Sequence, residues 1–384
     1  MPQENILTAT AARLANIPFR LLGRKALVPP QKALILQTCC LSQVMLVTPL
    51  LAVLDETYPQ ARFDWAISDW ARPAVAGNPR VTELLAAGAG GVKNLSWREA
   101  WAFIRRLRAE AYDTCFIPSR SSLLAFIAWQ AGIPQRIGIN WQGRGFAHTV
   151  AVSPPQNATH VSEIYLAMAA AAGADVAPGV RRDMEFYPPD AARTAVTRRL
   201  VDELDWLGER PLVLLHPGGG TNPLHTDKRK RWPVARFALL GNHLARSHDA
   251  QVVVLGSEGD RERAQAIVGM MATPAVNWAG QTTLGELGAV CEIADLYVGS
   301  DSGPTHVAAA QACPTLAIFG PSLPSVSAPY SLRAPVTALR VDTEGRPFSW
   351  ERGVSVEAAT QAADALLAHG RGPVADGETA VVID

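Results

Sequence analysis

The sequence predicts an α/β protein built from two Rossmann-like, doubly wound halves, and three observations predict it. The chain has 384 residues, 48% hydrophobic and 18% charged, enough for more than one core and too apolar for disorder. Short apolar runs of strand length alternate with helix-length segments along almost the whole chain, with short connections. The alternation breaks once, at the Pro- and charge-rich stretch Tyr187-Pro188-Pro189-Asp190, and then restarts. These breaks divide the chain into a leader (1–30), a first domain (31–187), a second domain (188–325) and a closing strand-and-helix segment with a loose tail (326–384).

In the first half, Ala33–Gln37 reads as a strand and Thr48–Tyr58 as a helix. Arg62–Ile67 is a strand. Ser96–Glu110 is a helix opened by a capping box, with Ser96 three residues before Glu99. Thr114–Pro118 and Arg136–Ile139 are strands; Leu123–Gly132 and His160–Ala172 are helices. The second half opens with a helix within 186–210. Its strands are Pro211–His216, Gln251–Leu255, Leu296–Gly299 and Thr315–Phe319. Its helices are Pro233–Arg246, Glu258–Met271, Leu284–Ala294, Thr305–Gln311 and Val356–Ala368. Sheets of this kind bind ligands beyond the carboxyl ends of their strands, so the sequence there carries the functional argument.

Composition excludes several function classes. Lys+Arg and Asp+Glu are equal at 35 each, without the basic excess of a nucleic-acid binder. The five cysteines (Cys39, Cys40, Cys115, Cys291 and Cys313) form no Cys-x-x-Cys pair and read as reduced thiols of a cytoplasmic protein. No apolar run reaches the ~18 residues of a spanning helix. Residues 11–25 mix Leu14, Ile17, Phe19, Leu21 and Leu22 with Arg13, Arg20, Arg24 and Lys25. Such a segment can touch the anionic inner face of a membrane, or can pack on the domain as a leader helix broken at Pro18.

Three constellations carry chemistry. His216-Pro217-Gly218-Gly219-Gly220 follows a strand directly, and its glycines let backbone N–H groups approach an anion. Asp227-Lys228-Arg229-Lys230-Arg231-Trp232-Pro233 is a charge run that ends on a Pro suited to a helix start, where a cation can meet a diphosphate. Val298-Gly299-Ser300-Asp301-Ser302-Gly303-Pro304-Thr305-His306 joins a strand to an alanine-rich helix. Ser300, Asp301 or Ser302 can cap that helix, its open N–H groups suit phosphate, and His306 lies on its first turn. The competing reading of each is purely structural: a flexible turn, a solvated charged face, and a capped helix with a satisfied histidine. Two glycine loops in one half favour the functional reading. There is no Asp-x-Asp metal–nucleotide motif, no Gly-x-Ser-x-Gly nucleophile elbow, and no GxGxxG fingerprint of an NAD-dependent dehydrogenase.

At these residues the chain resembles glycosyltransferase family 9, the ADP-heptose:lipopolysaccharide heptosyltransferase family, over about Lys32–Ala368. The series that carries the resemblance is Thr48-Pro49-Leu50, Phe63-Asp64-Trp65, Asn78-Pro79, Tyr112-Asp113, Arg136-Ile137-Gly138, His216-Pro217-Gly218, Lys230-Arg231-Trp232-Pro233, Asp301-Ser302-Gly303 with His306, and Phe319-Gly320-Pro321. It implies a GT-B fold, with two Rossmann-like domains facing a cleft, and inverting, metal-independent transfer. The donor, ADP-heptose or a similar nucleotide sugar, would be held by the C-terminal domain, and a lipid A–core or similar glycan by the N-terminal one. No cofactor is implied. Carried over by motif, Lys230 would neutralise the donor diphosphate. Asp301, Ser302, Gly303 and His306 would hold its phosphates and sugar. Thr282 would lie against the base, and His216 with Pro217–Gly220 would line the pocket.

The sequence departs from the family after its first strand. The family's Arg followed by Gly-Asp, whose Asp is the proposed base, is here Gln37-Thr38-Cys39-Cys40-Leu41-Ser42-Gln43, with Gln37, Ser42 and Gln43 in the places of Arg, Gly and Asp. An amide has no basic site near neutral pH, so Gln43 cannot serve. Asp69, just past the second strand, is the substitute that the sequence offers. The alternative is a member that binds nucleotide sugar without transferring it.

Overall fold

The computed structural model describes residues 27–141, 147–155, 158–177, 181–219, 227–343, 345–372 and 381–383. The leader stretch 11–25 and Gly220 lie outside them. The chain forms two compact units, one of Met1–Cys39 with Val47–Arg181, the other of Cys40–Leu46 with Arg182–Asp384.

The first unit is organised by a parallel sheet of β1 (Lys32–Leu36), β2 (Arg62–Ile67), β3 (Glu83–Ala86), β4 (Thr114–Ile117), β5 (Gln135–Ile139) and β6 (Val150–Val152). Their order is β3-β2-β1-β4-β5-β6. The helices are α1 (Leu41–Thr57), α2 (Trp97–Ala109), α3 (Ser122–Gln130) and α4 (Val161–Ala171). Beyond their first residues the central strands are buried, as in sheets covered on both faces. Helix α2 has the capping box that its sequence announces: the Ser96 N–H donates to Glu99 Oε2 (2.7 Å) and the Glu99 N–H to Ser96 Oγ (3.4 Å). It buries Phe103, Ile104 and Leu107.

The second unit repeats the scheme. After α5 (Asp190–Leu204) come β7 (Leu212–His216), α6 (Val234–Ser247), β8 (Gln251–Val254), α7 (Arg261–Met270), β9 (Ala275–Asn277), α8 (Leu284–Cys291), β10 (Leu296–Ser300), α9 (Gly303–Ala310), β11 (Thr315–Ile318), α10 (Pro324–Ser327), β12 (Val336–Leu339), α11 (Val356–His369) and β13 (Val381–Ile383). The strand order is β13-β12-β11-β10-β7-β8-β9, all parallel. Its core joins β7, β8 and β10 to α6 and α11 through Leu215, Trp232, Phe237, Leu244, Ala363 and Leu366.

The expected helix from Thr48 begins seven residues earlier, at Leu41, and carries Pro49 inside it. An interior proline usually costs about 3 kcal/mol and breaks a helix. Here Val44 to Leu51 are fully buried, and that packing offsets the loss. The short strands β3, β6, β9 and β12, three or four residues each, fall where the sequence reads as connections. Among the described residues no helix is long and apolar enough to cross a membrane.

Candidate active site

Strands β7 and β10 are neighbours, with Gly299 in register opposite His216. From β7 the chain winds outward to β8 and β9 on one side, and from β10 to β11 and β12 on the other. This is the topological switch point of the sheet, where the loops leaving two adjacent strands diverge and open a crevice. Both glycine loops emerge there. Pro217-Gly218-Gly219 follows β7, and Asp301-Ser302-Gly303 follows β10.

The second loop feeds α9. Ser302 occupies the N-cap position, but no side chain caps the helix. The Ser302 hydroxyl instead meets Thr305 Oγ1 (3.2 Å), which donates to the Ser300 carbonyl (2.6 Å). The first-turn N–H groups thus keep their capacity for an anion. Gly303 is needed where it stands. A Cβ there would fall 2.3 Å from Leu41 Cδ2, Leu41 belonging with residues 40–46 to the same unit.

Lys230 ends a short turn, Lys228–Lys230, capped by Asp227. Its ammonium donates to Asp301 Oδ2 at 2.5 Å, and the same oxygen accepts from Ser322 Oγ at 2.5 Å. The sequence assigns Lys230 and Asp301 separate contacts to a donor. The structure joins them in an ion pair at the start of α9, with Asp301 nearly buried and the Lys230 side chain one-third exposed. The turn reaches this position because Gly320 has no side chain: a Cβ would lie 2.6 Å from the Arg229 carbonyl oxygen. Lys228 is exposed, and Arg229 pairs with Asp227 at 2.8 Å. Lys230 of this charge run thus reaches the loop after β10.

His216 is buried, with Nδ1 3.3 Å from the Gly218 carbonyl and its ring stacked on Tyr297. Burial pushes its pKa below the usual imidazole range, which keeps it neutral. Gly218 makes room for Asp260, whose carboxylate would come within 2.2 Å of a Cβ there. Asp260 is held by the N–H and hydroxyl of Ser257 (3.1 and 2.6 Å). Gly219 faces open space, with Arg231 Nε 4.0 Å from where its Cβ would be. His306 is fully buried on the first turn of α9, as expected. Its two nitrogens face the carbonyls of Ser302 (3.0 Å) and Ser327 (3.1 Å). Burial lowers its pKa as well. The neutral ring carries one N–H, which donates to one of these carbonyls and braces the start of α9.

Thr282 stands partly exposed just before Thr283, the N-cap of α8. Gln43 lies in the first turn of α1, partly buried, in the segment that clusters with the second unit. Asp69 is exposed beyond the carboxyl end of β2. The preceding Ser68 N–H donates to the Thr38 carbonyl (3.0 Å), so the loops after β1 and β2 leave their sheet side by side.

Sequence reasoning missed Asp260, Ser257, Ser322 and Ser327. Ser257 and Asp260 carry a readable signal, a Ser-x-x-Asp box after β8, confirmed as a reciprocal cap. Ser322 and Ser327 have none, because their partners are distant in the chain. Among the described residues the group that could hold a metal is His243, His248 and Asp364, outside these loops.

Residues 100–347 match the model of glycosyltransferase family 9 (heptosyltransferase). The chain belongs to glycosyltransferase family 9. It is thus a glycosyltransferase, with relatives of the same kind. Lipopolysaccharide heptosyltransferase 2 of Escherichia coli K12 is 28% identical over 322 residues, covering 80% of this chain and 88% of the relative. Lipopolysaccharide heptosyltransferase 3 of Escherichia coli is 27% identical over 300 residues, covering 72% and 80%. Among solved structures, a family 9 glycosyltransferase from Veillonella parvula has a TM-score of 0.74 at 21% identity, over 90% of this chain and all of that one. E. coli ADP-heptose LPS heptosyltransferase II has a TM-score of 0.70 at 24% identity, over 88% and 99%. The fold is accordingly GT-B.

Proposed function

We propose that this family 9 glycosyltransferase moves a heptose, or a closely similar sugar, from an ADP-linked donor to a lipopolysaccharide-core or related cell-surface glycan. The transfer inverts the anomeric centre and needs no metal ion. The observation that carries this reading is the meeting of the Lys230 turn with the uncapped start of α9 at the β7–β10 switch point. A departing nucleoside diphosphate needs positive charge and N–H donors fixed before the reaction begins. Lys230, oriented by Asp301, and the first-turn N–H groups supply both. The relatives support the sugar and acceptor: they are named lipopolysaccharide heptosyltransferases, and E. coli heptosyltransferase WaaC has been solved with ADP and with ADP-2-deoxy-2-fluoro heptose.

Gln43 cannot take a proton from the acceptor hydroxyl, so the base is another group. Asp69, an exposed carboxylate at the carboxyl edge of the first sheet, is the residue we assign to it. This reading puts the enzyme in the cytoplasm, with its glycolipid acceptor at the inner membrane face.

The test is transfer from ADP-heptose to a deacylated core acceptor in excess chelator, with the new linkage assigned by NMR. The expected result is product of inverted configuration at an undiminished rate. Transfer only from a uridine or guanosine donor, a retained configuration, or activity lost to chelator and restored by magnesium would each overturn the corresponding part.

A further inference from the structure

We propose that His243, His248 and Asp364 form a site for one divalent transition-metal ion, zinc by preference, that ties α6 to α11. His243 lies in the last two turns of α6, His248 is its C-cap, and Asp364 lies on α11. Both imidazoles aim Nε2 at the same carboxylate. His243 Nε2 is 2.9 and 3.1 Å from the two Asp364 oxygens, and His248 Nε2 is 2.7 Å from Oδ1. One ligand atom from each residue lies within 4.8 Å of the others. Two imidazole nitrogens and a carboxylate oxygen are the donor set that zinc and its neighbours prefer. Zinc–ligand bonds of about 2.0–2.2 Å put two ligands of one tetrahedral ion roughly 3.3 Å apart. Each imidazole nitrogen therefore needs to move from the Asp364 carboxylate by only about half an ångström to share an ion with it.

Two further features favour a cation here. The last carbonyls of α6 lack intrahelical partners and give the site a partial negative charge. Ser247 Oγ lies 3.5 Å from His243 Nδ1 and can accept a hydrogen bond from the N–H that must sit there once Nε2 holds a metal. The frame is rigid, because Leu240 and Leu244 of α6 pack with Ala359, Ala363 and Leu366 of α11 in the core. All three ligand side chains are about one-third exposed, which leaves an entry path and an open position for water.

The site is remote from the donor loops. Helix α6 leaves the carboxyl end of β7 and runs back beside a parallel sheet, so its last turn lies at the amino ends of the strands. The ion has a structural role and takes no part in transfer.

The experiment uses the full chain stripped by dialysis against chelator, titrated with zinc chloride by calorimetry and with cobalt(II) by visible absorption. The expected result is one zinc per chain, an intense four-coordinate cobalt spectrum, and a zinc-dependent rise in Tm. Asp364→Asn and His243→Gln should each weaken binding at least tenfold and abolish the Tm shift, and His369→Gln should change nothing. Absence of saturable one-to-one binding to the wild-type chain would overturn the proposal, leaving two imidazoles hydrogen-bonded to a carboxylate. So would zinc binding that survives both ligand variants. The wild-type titration and cobalt spectrum decide the matter even if a variant folds poorly.

Discussion

The loop after β1 and the loop after β7 hold equivalent places in two sheets of the same strand order, and they are built from opposite materials. After β7 come Pro217, Gly218 and Gly219, backbone laid bare next to an uncapped helix start. After β1 come Gln37 and Thr38, both buried and anchored through their backbone. The Gln37 carbonyl accepts from Trp65 Nε1 (3.0 Å), and the Thr38 carbonyl accepts from the Ser68 N–H (3.0 Å). Shared topology sets where a ligand can bind, whereas the side chains of each loop set which ligand it suits. The bare loop suits a diphosphate. The anchored one holds its backbone carbonyls in hydrogen bonds to the next strand and loop.

The largest effect should come from the anchored side. Asp69→Asn is expected to lower kcat by about 10²–10⁴-fold with little change in donor affinity, the usual range for a lost general base. Gln43→Asp should then leave the rate nearly unchanged. A large gain from Gln43→Asp together with no loss from Asp69→Asn would return the base to position 43 and make this chain a disabled member.

On the bare side, Lys230→Ala should weaken ADP-sugar binding by ten- to a hundredfold, from a charge-assisted contact worth ~1.5–3 kcal/mol. Lys228→Ala, at an exposed position of the same turn, should cost little. Equal losses would mean that the charge run acts as a diffuse basic face. Gly320→Ala attacks the same contact indirectly, since its Cβ would press on the Arg229 carbonyl. It should weaken the donor less than Lys230→Ala does, and unchanged affinity by calorimetry would show that the turn does not depend on this packing.

Gly218→Ala should lower stability by roughly 1–3 kcal/mol through overpacking against Asp260, measured by denaturant unfolding. Gly219→Ala, facing open space, should not.

The smallest effect is a pH slope. Burial lowers the pKa of His216 and His306 in the folded chain, so the unfolded chain binds more protons below the ordinary imidazole value of about 6.5. Their contribution is fully present above that pH and is lost as pH falls through the window beneath it. His306→Gln should flatten the fall in Tm between about pH 7 and 5. An unchanged slope would show that this ring does not titrate in that window.

Much of the fold was legible in the residues themselves. The apolar runs of β1, β4, β7 and β11 are nearly continuous because those strands are covered on both faces. The capping box at Ser96 is local chemistry, complete within four residues. The two glycine loops were legible for the same reason, since a glycine lacks a Cβ wherever it folds.

Tertiary structure decided what depends on residues far apart in the chain. Proline 49 reads locally as a helix start, yet burial of the surrounding apolar side chains carries α1 through it. Lys230 and Asp301, 71 residues apart, read as two independent ligands for a donor, and only the adjacency of their loops makes them an ion pair. His306 reads as a first-turn ligand, but its ring is fully buried with its nitrogens facing the carbonyls of Ser302 and Ser327. Local pattern determined the elements and the places where backbone is exposed, because propensity, capping and missing side chains act over a turn or two. Partners were settled by packing, because burial and charge pairing act through space and bring together what the sequence keeps apart.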